Sequence, residues 1–334
     1  MCRFQINQRE KFGCIAIQNA GTAQDARGQT ELAPGLWCVD RLPFNVGEFW
    51  VGQLGHRRLE QIENSNLLIF AVAPTHRPEV LDDENEALLQ KVQRTFYALL
   101  LQLVFHHDGA EIFSGARQDD NPDIRTITDL RNHLRPQVAR VEQISRANLT
   151  RAANAESGMA AYLTRTGEVD RLWHGFHALQ RGFLEMWGDE RLHQFVLSVE
   201  AVLNLRAGQS RTLFGHRAHL FVGRSDENQN WLLELYDLRS ATEHMNDYRL
   251  LLEHYPEARR EHVASLRAYE AQVLACQIYM RLAESEDLRT RFGDDSELEQ
   301  FWSMREGEQQ RQWGHIFDVR AHCAATSLQG PLVG

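Results

Sequence analysis

The stretch NWLLELYDLRSATEHMND, residues 230–247, decides how this chain reads. It lies in a predicted helix over 228–245 that stops at the turn signal Asn246-Asp247. It carries Arg239 and His244, separated by Ser240, Ala241, Thr242 and Glu243. Each helical residue turns by about 100°, so positions five apart point about 140° away from each other. Arg239 and His244 therefore cannot both reach one phosphate from the middle of a single straight helix. Either the helix ends at His244, or a second copy of the chain supplies the partner residue. Plainer roles exist for both. Arg239 and Glu243 have the i, i+4 spacing of a surface ion pair, and a histidine at a helix C-terminus complements the helix dipole.

Around this stretch the chain reads as helix: 168–187, 189–205, 210–222, 257–285 and 295–312. Gly188, Ala207-Gly208, Gly223, Pro256 and Gly293 punctuate these segments, and connections this short predict an antiparallel helical bundle. Trp173, Phe176, Phe183 and Trp187 recur at helical spacing and are expected in its core. The small, polar stretch 146–158 is taken as the domain boundary, which gives a unit over 1–150 and a helical one over 151–334.

The first 150 residues predict a mixed α+β domain. FGCIAIQ (12–18), LWCVD (36–40), EFWVGQL (48–54) and LLIFAVA (67–73) are short apolar runs bounded by Gly, Pro and Asn, as strands are. A helix is expected from Asp82 to about Phe105, a loop at 115–123, and a second helix from Thr128 to Ile144 broken near Pro136.

Composition excludes several classes. No run approaches the roughly 20 apolar residues of a membrane span, and the N-terminus lacks the apolar core of a secretory signal. A cytoplasmic protein is expected. Cys2, Cys14, Cys38, Cys276 and Cys323 are scattered without a C-x-x-C pair, as free thiols in a reducing compartment would be. The net charge of −10 argues against coating nucleic acid through charge alone. Lys11 and Lys91 are the only lysines, so arginine carries nearly all the positive charge.

The string LYDLRS followed by His244 resembles the signature helix of the HEPN superfamily, its Apea-like branch in particular. The spacing alone has no weight, because Arg171/His177, Arg211/His216 and Arg249/His254 show similar ones. Context gives the resemblance its content. FVLSVEAVLNL (195–205) is similar to the family's apolar helix with a central glutamate, here Glu200. TLFGHRAHLF (212–221) and HVASLRAYEAQVLACQIYMRLA (262–283) follow in the family's order. The chain departs from the pattern at Met245, where the family often has glycine, and at Glu243, an acid just before the histidine.

The resemblance implies a metal-independent RNA endonuclease of the toxin or anti-phage defence type, working as a homodimer with a composite site and no cofactor. The alternative it carries is a catalytically inactive HEPN module that binds nucleotide, RNA or a protein partner and dimerises. Arg239 and His244 would be catalytic, with Asp237, Ser240, Glu243 and Glu200 in support. Histidine titrates near neutrality and suits proton transfer, while arginine offers a permanent charge to phosphate oxygens. Asp237, seven residues before His244, shares its helical face and is a candidate to orient the imidazole.

Between Ala201 and Ser225 there is no acidic residue, and Arg206, Arg211, Arg217 and Arg224 make this the candidate RNA track. RNA, tRNA included, is the expected substrate, and the N-terminal domain is the expected seat of a phage or antitoxin trigger. His174/His177, His216/His219 and His106-His107-Asp108 lack the ligand complement of a zinc site and are set aside.

Overall fold

The computed structural model describes residues 4–47, 51–53, 55–118, 121–130, 139–163, 171–205 and 208–328. It is mainly helical, with an antiparallel sheet in its N-terminal part. The chain divides into two compact units, Met1–Asn132 with Val141–Met159, and His133–Arg140 with Ala160–Gly334.

In the first unit, strands β1 (Glu10–Gln18), β2 (Thr30–Ala33), β3 (Leu36–Val39), β4 (Ser65–Pro74), β5 (Gly109–Arg117) and β6 (Asp123–Leu130) form one sheet in the order β2-β3-β4-β1-β5-β6. Every pairing is antiparallel. Helix α1 (His56–Glu63) precedes β4, and α2 (Asp83–Leu100) packs on β1 with its backbone close to the sheet. That approach requires glycine at position 13, where a Cβ would stand 2.6 Å from the Leu88 carbonyl carbon. Asp82 caps α2 and also pairs at 2.6 Å with Lys11, whose side chain is fully buried; Glu84 meets the same ammonium at 3.0 Å.

Two expectations in this unit need correction. Residues 51–53 of EFWVGQL are helical, with Val51 N–H donating to Gly47 and Gly55 N–H to Val51, so local bonds replace a ladder there. Residues 48–50 and 54 lie outside the described set. Thr128 to Leu130, expected to open a helix, end strand β6, whose run Ile124, Thr126, Ile127, Thr128 has the β-branched character that favours pairing with β5. Residues 131–138, Pro136 among them, are also outside the described set. The 146–158 stretch is helical, as part of α3 (Arg146–Leu163).

The second unit contains α4 (Arg171–Leu184), α5 (Gly188–Leu203), α6 (Ser210–Val222), α7 (Asp226–Glu243), α8 (Glu257–Glu284), α9 (Glu286–Gly293), α10 (Asp295–Ser303), α11 (Glu306–Trp313) and α12 (Val319–Thr326). Helix α5 packs against α4, α7 and α8. The expected single helix over 295–312 is two, because the buried Gln309 amide donates to the carbonyls of Phe301, Trp302 and Met304 and so closes the end of α10. Phe176 and Phe183 are core, as expected, and Trp173 is half-buried. Trp187 is not core: it stands outside the first turn of α5 and is 71% exposed. Cys14, Cys38, Cys276 and Cys323 are buried free thiols, and Cys2 is not among the described residues.

Candidate active site

Helix α7 begins at a Ser225 cap, whose hydroxyl accepts from the Asn228 N–H, and ends at Glu243 with His244 as its C-cap. The helix thus ends at His244, as the first of the two arrangements requires. Asn246 N–H reaches back to the Ala241 carbonyl, and the turn places Met245 at φ 54°. This is the left-handed conformation that glycine adopts without cost. The methionine is 96% exposed, so no packing compensates the strain.

Arg239 is buried, and two carboxylates hold its guanidinium. Glu200, from the last turn of α5, accepts from Nη2 at 3.2 Å, and Glu243, one turn along α7, accepts from Nη1. Two acids sharing one cation cannot both ionise cheaply in a buried setting. Burial pushes the Glu200 carboxyl up to about 7; Arg239 pulls it down and Glu243 pushes it up again. Its second oxygen, Oε1, is buried without a hydrogen-bond partner.

The cluster opens onto a groove of about 640 Å³ between α4, α5 and α7. Arg239, Glu200 and Glu243 line it with His174, His177 and Arg181 of α4. Sequence reasoning set these two histidines aside as a failed zinc motif. The signal that could have recovered them was the Arg171/His177 spacing on the helix before Glu200, which looks like chance until the helices are packed.

The other expected positions are distributed differently. His244 is exposed, does not line the groove, and its ring has no hydrogen bond or ion pair among the described residues. Asp237 does not orient it, because Arg211 takes both Asp237 oxygens at 2.6 and 2.7 Å. Ser240 accepts the His244 N–H through its carbonyl.

The arginine track is not a free cationic strip. Besides the Arg211 pair, Arg217 donates to the carbonyls of Leu203 and Asn204 and lies over the Trp302 ring, and Arg224 pairs with Glu306 at 2.7 Å. The stretch lacks acids in sequence, but α7 and α11 bring them in space. Arg206 falls outside the described residues. Among the described residues, no three His, Cys, Asp or Glu side chains are placed to hold a metal ion, and no helix is long and apolar enough to cross a membrane.

No protein-family model, curated protein or solved structure matches this chain.

Proposed function

We propose that the helical unit is an HEPN-type, metal-independent RNA endonuclease whose centre is the groove at Arg239. The observation that carries this reading is the meeting of Glu200, Arg239 and Glu243 in a groove wide enough for a nucleotide, one residue from His244 at the helix end. RNA brings its own nucleophile, the 2′-hydroxyl. The protein has only to move two protons and to meet the charge that builds on the phosphate in the transition state. Arg239 supplies a fixed positive charge, held in place by two carboxylates. His244, exposed and unpaired, supplies one proton-transfer group. A two-fold dimer would bring the second copy's helix end to the same cleft.

Purified protein should cleave RNA in the presence of chelator and leave 2′,3′-cyclic phosphate ends. A strand with 2′-deoxy at the scissile position should resist. Arg239→Ala and His244→Ala should each lose on the order of 10² to 10⁴ in rate. Loss of all cleavage in chelator, or cleavage of the deoxy strand, overturns the mechanism.

One observation favours a second reading, a binding module without catalysis. Both oxygen-facing nitrogens of Arg239 are engaged within the protein, so its guanidinium can serve as a strut between α5 and α7. Wild-type-like RNA binding with no cleavage of any strand selects that reading.

A further inference from the structure

Cleavage through the 2′-hydroxyl moves one proton off the attacking oxygen and another onto the departing 5′-oxygen. The reading above assigns one of these steps to His244. The inference here rests on that reading and concerns the other step.

His174, His177 and Arg181 stand three and four residues apart on α4 and so share one helical face, which lines the same groove as Arg239. His177 is half-buried, and its ring centroid lies 4.0 Å from that of Trp173. Its ring nitrogens have no hydrogen-bond partner among the described residues. Burial, with the nearby charges of Arg181 and His174, lowers its pKa below the ordinary histidine value. The ring is therefore neutral at pH 7 and has a lone pair free to accept a proton. Arg181 is exposed and makes no ion pair among the described residues, in contrast to Arg211 and Arg224.

We propose that His177 is the general base of the site, with Arg181 as a phosphate contact beside it on the α4 wall of the groove that Arg239 lines. His177 takes the 2′-hydroxyl proton as that oxygen bonds to phosphorus. The P–O5′ bond breaks, its electron pair stays on O5′, and the imidazolium of His244 protonates it. The products are a 2′,3′-cyclic phosphate and a 5′-hydroxyl, with no oxidant, metal or co-reactant consumed.

The test compares full-length wild type, His177→Ala, His177→Gln and His244→Ala on an RNA oligonucleotide and on uridine 3′-(4-nitrophenyl phosphate). The nitrophenolate leaves without being protonated, so it conceals loss of a general acid but not loss of a base. Both His177 variants should slow each substrate on the order of 10² to 10⁴. His244→Ala should be slow on RNA and largely restored on the chromogenic diester. Thermal melts, and binding of an RNA with 2′-deoxy at the cleavage site, separate chemistry from folding and should not change in His177→Gln. Arg181→Ala should weaken that binding and flatten its salt dependence.

If wild type cleaves neither substrate, the RNA-cleavage reading itself fails. If wild type cleaves RNA and a folded His177 variant matches it, the base assignment alone falls. If the His177 variants recover on the nitrophenyl ester, His177 is the acid and the proposal is wrong.

Discussion

Glu200 shows how one buried side chain links stability to pH. Its folded pKa of about 7 lies above the unfolded glutamate value, so the folded state holds a proton that the unfolded chain has released. The stabilisation is fully present below pH about 4.3, falls as pH rises, and is gone above the folded value. Integrated over that window it is on the order of 3 kcal/mol. Glu200→Gln, neutral throughout, should therefore gain stability relative to wild type between pH 4.5 and 8, as read from urea melts at each pH. A gap that does not change with pH would mean that Glu200 ionises freely. The Arg239–Glu243 contact was legible from its i, i+4 spacing, whereas the Arg239–Glu200 contact spans 39 positions and was reachable only through the resemblance. His177 was legible to neither, since its spacing from Arg171 does not by itself mark a histidine as facing a groove. Asp237 was misread because helical-face geometry sees one helix only, and its partner Arg211 comes from the neighbouring α6.

At the level of elements, apolar periodicity together with the turn signals between segments located α2 and α5 to α8 within a few residues. It failed where a side-chain amide ends a helix, at Gln309, and where β-branched residues pair at a sheet edge, in β6. The seating of α4 on α5 depends on Gly175, which lines the groove. A Cβ there would stand 2.5 Å from the Ala201 Cβ and 1.9 Å from the Tyr279 hydroxyl. The Tyr279 hydroxyl is held in turn, donating to the Ser198 carbonyl at 3.2 Å. Gly→Ala inside a helix gains about 1 kcal/mol of propensity, but overpacking against a rigid methyl costs about 1–3 kcal/mol. Gly175→Ala should therefore destabilise by up to roughly 2 kcal/mol in a urea titration. It should also slow RNA cleavage, because it lifts the His177 face away from Arg239. A more stable variant would show that α4 has room to shift.

For the whole molecule, the question is what covers the apolar residues beside the site. Met245 and Leu250 after α7, and Met186 and Trp187 before α5, are 62–96% exposed. On the proposed reading a second copy of the chain would cover this surface, with both His244 residues at one two-fold seam. Sedimentation should give a dimer, and Trp187→Asp with Leu250→Asp should give a monomer that cleaves RNA poorly. A wild-type monomer with full activity would remove the second copy from the mechanism.

The enclosure of Lys11 has a practical consequence. Only two lysines exist, and Lys11 is sealed between Asp82 and Glu84, so amine-directed reagents should find Lys91 alone beside the terminal amine in the native protein. Acylation of Lys11 then becomes a clock for the opening of the first unit, readable by peptide mass without any introduced label.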